Sequence, residues 1–226
     1  MGTAFRVLTE PTTEPISLIE ARGFCNIDFA DADTSIAEGV DTKLTRLISA
    51  ARKYCEGVLG RALATQTIQA EYIIDAPQSG KLSGAIDIEP NWYHYLQELG
   101  ANPFGIAMFY YDLPMPPLQS VTTVEYQYTV FDQDPVSHAY GYWTPFTGVF
   151  VPDTTREPGR VWFQDPPTVF RWRFTYQAGY DGVSYVLPFN IRQLIKSIIA
   201  FWYDNREGDP LPDGIKQQLI NMQWNV

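Results

Sequence analysis

Two histidines, two cysteines and 26 carboxylates are the side chains of this 226-residue sequence that could relay protons, attack a carbonyl or hold a metal. The spacing of the histidines and cysteines supports none of these. His94 and His138 stand far apart, and neither has a second ligand at a metal-binding interval. Cys25 and Cys55 make neither a disulfide framework nor a zinc site, and they read as small buried hydrophobes in a reducing compartment. No glycine-rich phosphate loop, zinc-protease helix or nucleophile elbow occurs. Asp28, Asp31, Asp33 and Glu38 crowd residues 28–40 but lack the turn glycine and closing glutamate of a calcium loop, so a solvated acidic loop is expected. Two chemical readings stay open. A pair of carboxylates could hydrolyse a glycoside, although no nucleophile–base motif accompanies it. Tyr140, Tyr142 and Trp143 could stack on sugar, against the simpler expectation that they pack within their segment or on another subunit.

Composition narrows the classes. The net charge is −10, with 14 Tyr, 13 Phe and 6 Trp. Phosphate contacts need clustered Lys and Arg, so nucleic-acid binding is disfavoured, while DNA could pass an acidic wall without adhering. Aromatic side chains dominate cores and interfaces, so this many imply a β-rich body, extensive protein contact, or both. No apolar run reaches ~18 residues, and residues 1–10 hold no apolar signal core, so no membrane association is expected and the chain reads as cytosolic.

Periodicity then gives the elements that must position any surface. Residues 1–15 read as an arm or an extended lead-in. Ser17 opens a short helix with Glu20 three positions on, a capping box. Asp41 is a candidate cap for a second helix. Its apolar face runs through Leu44, Leu47, Ile48, Ala51, Cys55, Val58 and Leu59, with Lys43, Arg46, Arg52, Lys53 and Glu56 on the other face and Gly60 at its end. Strands are expected at 65–74, 107–111, 121–131, 160–163 and 168–176. In the last, Phe170, Trp172, Phe174 and Tyr176 alternate with Arg171, Arg173 and Thr175, and the arginines could pair with carboxylates of a neighbouring strand or subunit. Segments 76–106 and 132–158 have no clear period. Pro188 starts a third helix whose apolar stripe (Ile191, Leu194, Ile195, Ile198, Trp202) is widened by Ile199, Phe201 and Tyr203, so it needs cover from two sides. Pro212 starts a last one carrying Ile215, Leu219 and Met222.

The expected class is therefore α+β: a helical bundle from the N- and C-terminal helices with a β-rich central insertion. We expect a single domain over 1–226, with a helical core at 16–60 plus 187–224 and the β-rich insertion at 64–182. An interface set is expected at Trp202, Tyr203, Arg206, Ile215, Leu219, Met222 and Trp224, with ordinary core as the alternative place for Trp202 and Leu219. Truncation after Gly208 is expected to leave a folded subunit that no longer docks.

Several phrases in order resemble one family. They are PISLIEARGFCNID, LTRLISAARKYCEGVLGRALATQTI, LPMPPLQSVTTVEY, and FTYQAGY followed by LPFNIRQLIKSIIAFWYDNRE, within residues 15–75, 113–128 and 174–207. Together they resemble the head–tail connector (head-completion adaptor) proteins of tailed phages and related gene-transfer particles. The resemblance implies a non-enzymatic structural protein without cofactors. It would form a ring, a dodecamer by analogy with twelve-fold portals, in the neck of a virion assembled in the host cytoplasm. Its partners would be further copies of itself, the portal protein through residues 205–226, a downstream neck or tail protein, and DNA passing through without sequence-specific contact. The alternative is an aromatic-rich module that binds carbohydrate or a capsid surface.

Overall fold

A computed structural model describes residues 2–27, 34–73, 108–127, 129–131, 138–164, 169, 171–205 and 209–223. Segment 76–106 lies outside the described residues, as do Arg206, Trp224, His94, Phe170 and three of the four loop acids, Asp28, Asp31 and Asp33. The secondary structure is mixed α and β, with antiparallel pairing in every described register. The chain divides into two compact units. One joins Met1–Glu10 to Thr67–Ala178, and the other joins Pro11–Gln66 to Gly179–Val226.

The second unit carries four helices among the described residues: α1 (Leu18–Phe24), α2 (Thr34–Leu59), α3 (Phe189–Asp204) and α4 (Asp213–Asn221). One apolar core takes residues from all four, including Ala21, Leu44, Leu47, Ala51, Cys55, Leu194, Ile195, Ile198, Trp202 and Leu219. The stripe of α3 thus finds its cover inside its own chain. Residues spaced three and four apart on each helix fall on one face, and removing those faces from water drives the packing. Ser17 accepts from the Glu20 amide while the Glu20 carboxylate accepts from the Ser17 amide, the expected capping box. Gly60 ends α2 with φ +67, and its amide donates to the Glu56 carbonyl. Gly179 has φ +115, and a Cβ there would meet the Ala64 carbonyl oxygen at 2.1 Å, so only glycine fits.

Three expectations for this unit need correction. First, α2 begins at Thr34, so Glu38 belongs to a helix rather than a loop, and Asp41 is inside that helix. Asp41 does not cap; both its oxygens accept from the Arg22 guanidinium of α1. Second, Arg52 and Glu56 are not on a solvated face but are only 2 % and 7 % exposed. Third, Pro188 and Pro212 stand just before their helices, at the cap position.

Glu20 also ties α1 to α3. It receives Arg192 at 2.7 Å and Lys196 at 3.3 Å. The Arg192 hydrogen bond is the main reason its carboxyl is held down to about 2, from 4.5, with the Ser17 amide and Lys196 adding to it. A depressed carboxylate stabilises the fold above its unfolded pKa and loses that contribution as protons bind. The stability gap between the wild type and Glu20→Gln should therefore be widest near neutral pH. It should close as pH falls from 4.5 towards 2, read from urea midpoints across that range. A gap independent of pH would refute the assignment.

The first unit is built on strands. A five-stranded sheet has the order β1 (Gly2–Thr9), β2 (Gln66–Ile73), β10 (Arg171–Ala178), β4 (Leu118–Gln127), β7 (Thr144–Pro145). A second sheet orders β3 (Met108–Asp112), β9 (Arg160–Gln164) and β8 (Phe150–Asp153), and β5 (Thr129–Phe131) pairs with β6 (His138–Tyr140). Period-two alternation on β10 buries Trp172, Phe174 and Tyr176. Tyr111, Phe163 and Phe146 pack on these rings, with Trp172 and Phe163 centroids 5.0 Å apart. Within residues 1–15 the chain is extended as expected of a lead-in, but over Gly2–Thr9 it is the edge strand β1, in antiparallel register with β2 from Gly2↔Ile73 to Thr9↔Thr67 with a shift between Val7 and Thr9. The described part of 132–158, which shows no clear period in the sequence, supplies β6, β7 and β8.

Candidate interaction surfaces

No cluster of three or more His, Cys, Asp or Glu side chains able to hold a metal occurs among the described residues. Burial raises the Cys25 thiol and pushes Cys55 up to about 12, so neither is a ready thiolate. His138 lies on β6. Among the described residues, no helix is long and apolar enough to cross a membrane.

The polar face of the five-stranded sheet is a ladder of matched charges. Arg171 of β10 reaches Glu71 of β2 at 3.0 Å, and Arg173 reaches Glu125 of β4 at 2.8 Å. Arg6 of β1 donates twice to Gln69 Oε1, at 3.1 and 2.7 Å. Trp143 is half-buried over this face, its ring 4.1 Å from the Arg173 guanidinium carbon and 5.7 Å from that of Arg171. The arginines thus find their carboxylates within the sheet, and Trp143 stacks on them. Tyr142 beside it is 96 % exposed.

The described residues among those expected at an interface divide in two. Trp202 is 4 % exposed and Leu219 is 1 % exposed, both inside the helical core. The Trp202 indole donates to the Asp209 carbonyl at 3.1 Å and meets Tyr54 edge-on at 5.7 Å. Tyr203, Ile215 and Met222 are half-buried at its margin. The Tyr203 ring carries Lys43 at 4.3 Å, and Asn190 Nδ2 lies 3.6 Å from the Met222 sulfur. Arg206 and Trp224 lie outside the described residues. Because Leu211 and Leu219 complete the core, truncation after Gly208 removes packing and is not a clean removal of a docking tail.

Several apolar side chains that the sequence pattern did not single out stand in water. On the helical unit these are Ile19, Val183, Val186, Phe189 and Ile220, between 54 % and 85 % exposed. Val183 rides on a turn that its own hydrogen bonds hold. Asp181 Oδ1 accepts from the Val183 and Tyr185 amides, both at 2.8 Å, and the same bonds draw the Asp181 carboxyl below its usual range. On the β unit, Phe5 (48 %), Val7 (39 %) and Leu8 (46 %) line β1, and Val149 and Val151 flank Phe150. A signal for β1 exists in the residues: Phe5 and Val7 alternate about Arg6, a period of two too short to stand out beside the prolines that follow.

No family model matches this chain, and no curated protein matches it in sequence. Solved structures do match in fold. A chain in the structure described as the neck of an empty gene transfer agent (GTA) particle computed with C6 symmetry gives a TM-score of 0.61 at 18 % identity, covering 99 % of this chain and 96 % of that one. A chain in the virion of a native GTA particle gives 0.58 at 16 % identity, covering 98 % and 96 %. A chain in the neck of a native GTA particle computed with C12 symmetry gives 0.53 at 17 %, covering 99 % and 96 %. At these identities the likeness shows the fold, and it runs nearly end to end in both partners.

Proposed function

We propose that this chain is a structural component of the neck of a phage-like particle, a head–tail connector that assembles as a ring and catalyses nothing. The observation that carries the proposal is the near end-to-end likeness to chains of GTA neck and virion structures, through both the helical and the β-rich parts. In this reading the helical bundle is the connector body and the β unit is inserted into it as one domain. Twelve copies close the ring. The portal lies on one side, reached through 205–226, and a later neck or tail protein lies on the other. DNA crosses the middle. Assembly takes place in the host cytoplasm. A net charge of −10 suits a wall that DNA must pass without sticking. The outward apolar residue of α4 is Ile220, 54 % exposed, and it joins Tyr203, Ile215 and Met222 as the described docking surface, while Trp202 and Leu219 support it from within.

The test is biochemical and then visual. Particles purified from producing cells should contain the chain at about twelve copies, the count a closed twelve-fold ring requires. An antibody against it should label one vertex, and purified chain should shift the sedimentation of portal rings. Particles that lack the chain altogether would overturn the proposal.

A further inference from the structure

We infer that β1 is an open pairing edge, and that its occupant is an extended segment of a second copy of this chain. This rests on the reading of the protein as a self-assembling component, and it adds the surface through which copies meet.

The first support is an uncovered continuation of the core. In the β1–β2 register Phe5 faces Ala70 and Val7 faces Ile68, and Ala70 and Ile68 are fully buried. Phe5 and Val7 therefore lie on the core side of the sheet, yet they remain 48 % and 39 % exposed. Residues 3–10 are exposed along their whole length. A sheet's core face normally ends where its cover ends, and this one carries apolar side chains one strand further.

The second support is the edge itself. β1 is eight residues long and, among the described residues, hydrogen-bonded to a strand on one side only. A free edge presents unpaired backbone groups, and proteins commonly blunt it with a short strand, a proline or a charge. The opposite edge of this sheet, β7, is two residues long and includes Pro145. The edge strand β8 of the other sheet includes Pro152. β1 is guarded less: Gly2–Thr9 contains no proline, its one charged group, Arg6, bonds to Gln69 of the inner neighbour β2, and its one irregularity is a register shift between Val7 and Thr9.

Charge selects the occupant. Copies that each carry −10 repel, so they meet most easily where carboxylates are absent. The strand Gly2–Thr9 has one cation and no acid, and the only acid on β2, Glu71, is held by Arg171. An extended segment of an acidic copy can satisfy the backbone edge, cover Phe5 and Val7, and approach a locally positive strip.

The experiment uses the full chain. Wild type should self-associate in sedimentation velocity, and amides of residues 3–9 should exchange more slowly in the associated fraction than in diluted monomer. Phe5→Glu/Val7→Glu and Phe5→Lys/Val7→Lys should both weaken association ~100-fold, the worth of burying two such side chains, with far-UV circular dichroism unchanged. Loss in both pairs identifies apolar edge pairing, because simple charge repulsion would spare the lysine pair. A wild type that stays monomeric overturns the inference. So do associated copies whose β1 amides exchange as in the monomer, or double variants that still assemble. The two readings fail separately. A closed dimer built on this edge would sustain the inference and count against the ring, and particles that contain the chain with β1 unprotected would do the reverse.

Discussion

Trp172→Ala is expected to cost about 3–5 kcal/mol, the range for deleting a large aromatic from a packed core. The indole is 2 % exposed and sits at the centre of the β unit's aromatic wall. Phe163 lies 5.0 Å away by ring centroid, Phe146 5.5 Å, Tyr126 5.8 Å, Tyr111 6.1 Å and Phe174 6.3 Å. These rings come from β3, β4, β9, β10 and the segment after β7, so one side chain is shared by both larger sheets of the unit. Alanine leaves a void that so many rigid neighbours cannot close without shifting strands. Arg173→Ala, one position along the same strand, removes a part-exposed ion pair with Glu125 and should cost about 1 kcal/mol or less. Urea unfolding followed by near-UV circular dichroism reads both. Similar losses for the two variants would show that the wall is not what holds the sheets together.

That contrast also marks what the sequence could reveal. Trp172, Phe174 and Tyr176 alternate with Arg171, Arg173 and Thr175, and a period of two assigns both faces of a strand from residue types alone. The stripes of α2 and α3 were equally legible, because a face repeating every three to four residues has only one geometry. Edges and partners were not. β1 is a strand by virtue of pairing with β2, some sixty residues away, and a short alternating run does not announce a distant partner. Asp41 has the type of a helix cap, and only the arrival of Arg22 from α1 shows that its carboxylate is engaged elsewhere. Trp202 and Leu219 illustrate the same limit for the candidate surface. By residue type both fit an interface or the core equally well, and only the packing of α3 and α4, which closes both into the core, decides between the two. The exposed set that remains, with Ile220 and the β1 strip, follows from which neighbours cover which face, a tertiary fact.

The second large effect is expected at Glu56, where sequence type misled most. A Glu four residues after an Arg on a helix normally marks a solvated pair worth a few tenths of a kcal/mol. Here Arg52 and Glu56 are both buried, with Arg52 Nη1 donating to Glu56 Oε2 at 2.8 Å. The other oxygen, Oε1, accepts from the Leu63 amide at 2.9 Å and from Gln66 Nε2 at 3.0 Å. One carboxylate thus organises the chain's exit from α2, where Gly60 turns it and residues 61–64 are buried. Glu56→Ala takes the buried carboxylate from the Arg52 guanidinium, which keeps its part-exposed contact with Glu14, and removes the acceptor of the Leu63 amide and the Gln66 carboxamide, and it should cost about 3–5 kcal/mol, the range for breaking one side of a buried pair. Glu56→Gln keeps an acceptor oxygen and should cost less. Glu14→Ala removes the second, part-exposed partner of Arg52, at 2.9 Å, and should cost least. Urea midpoints give the order, and hydrogen exchange at the Leu63 amide gives the cause: exchange should accelerate in Glu56→Ala and hold in Glu14→Ala. If Glu56→Ala proved no worse than Glu14→Ala, the carboxylate would be a bystander and the exit from α2 would depend on apolar packing alone.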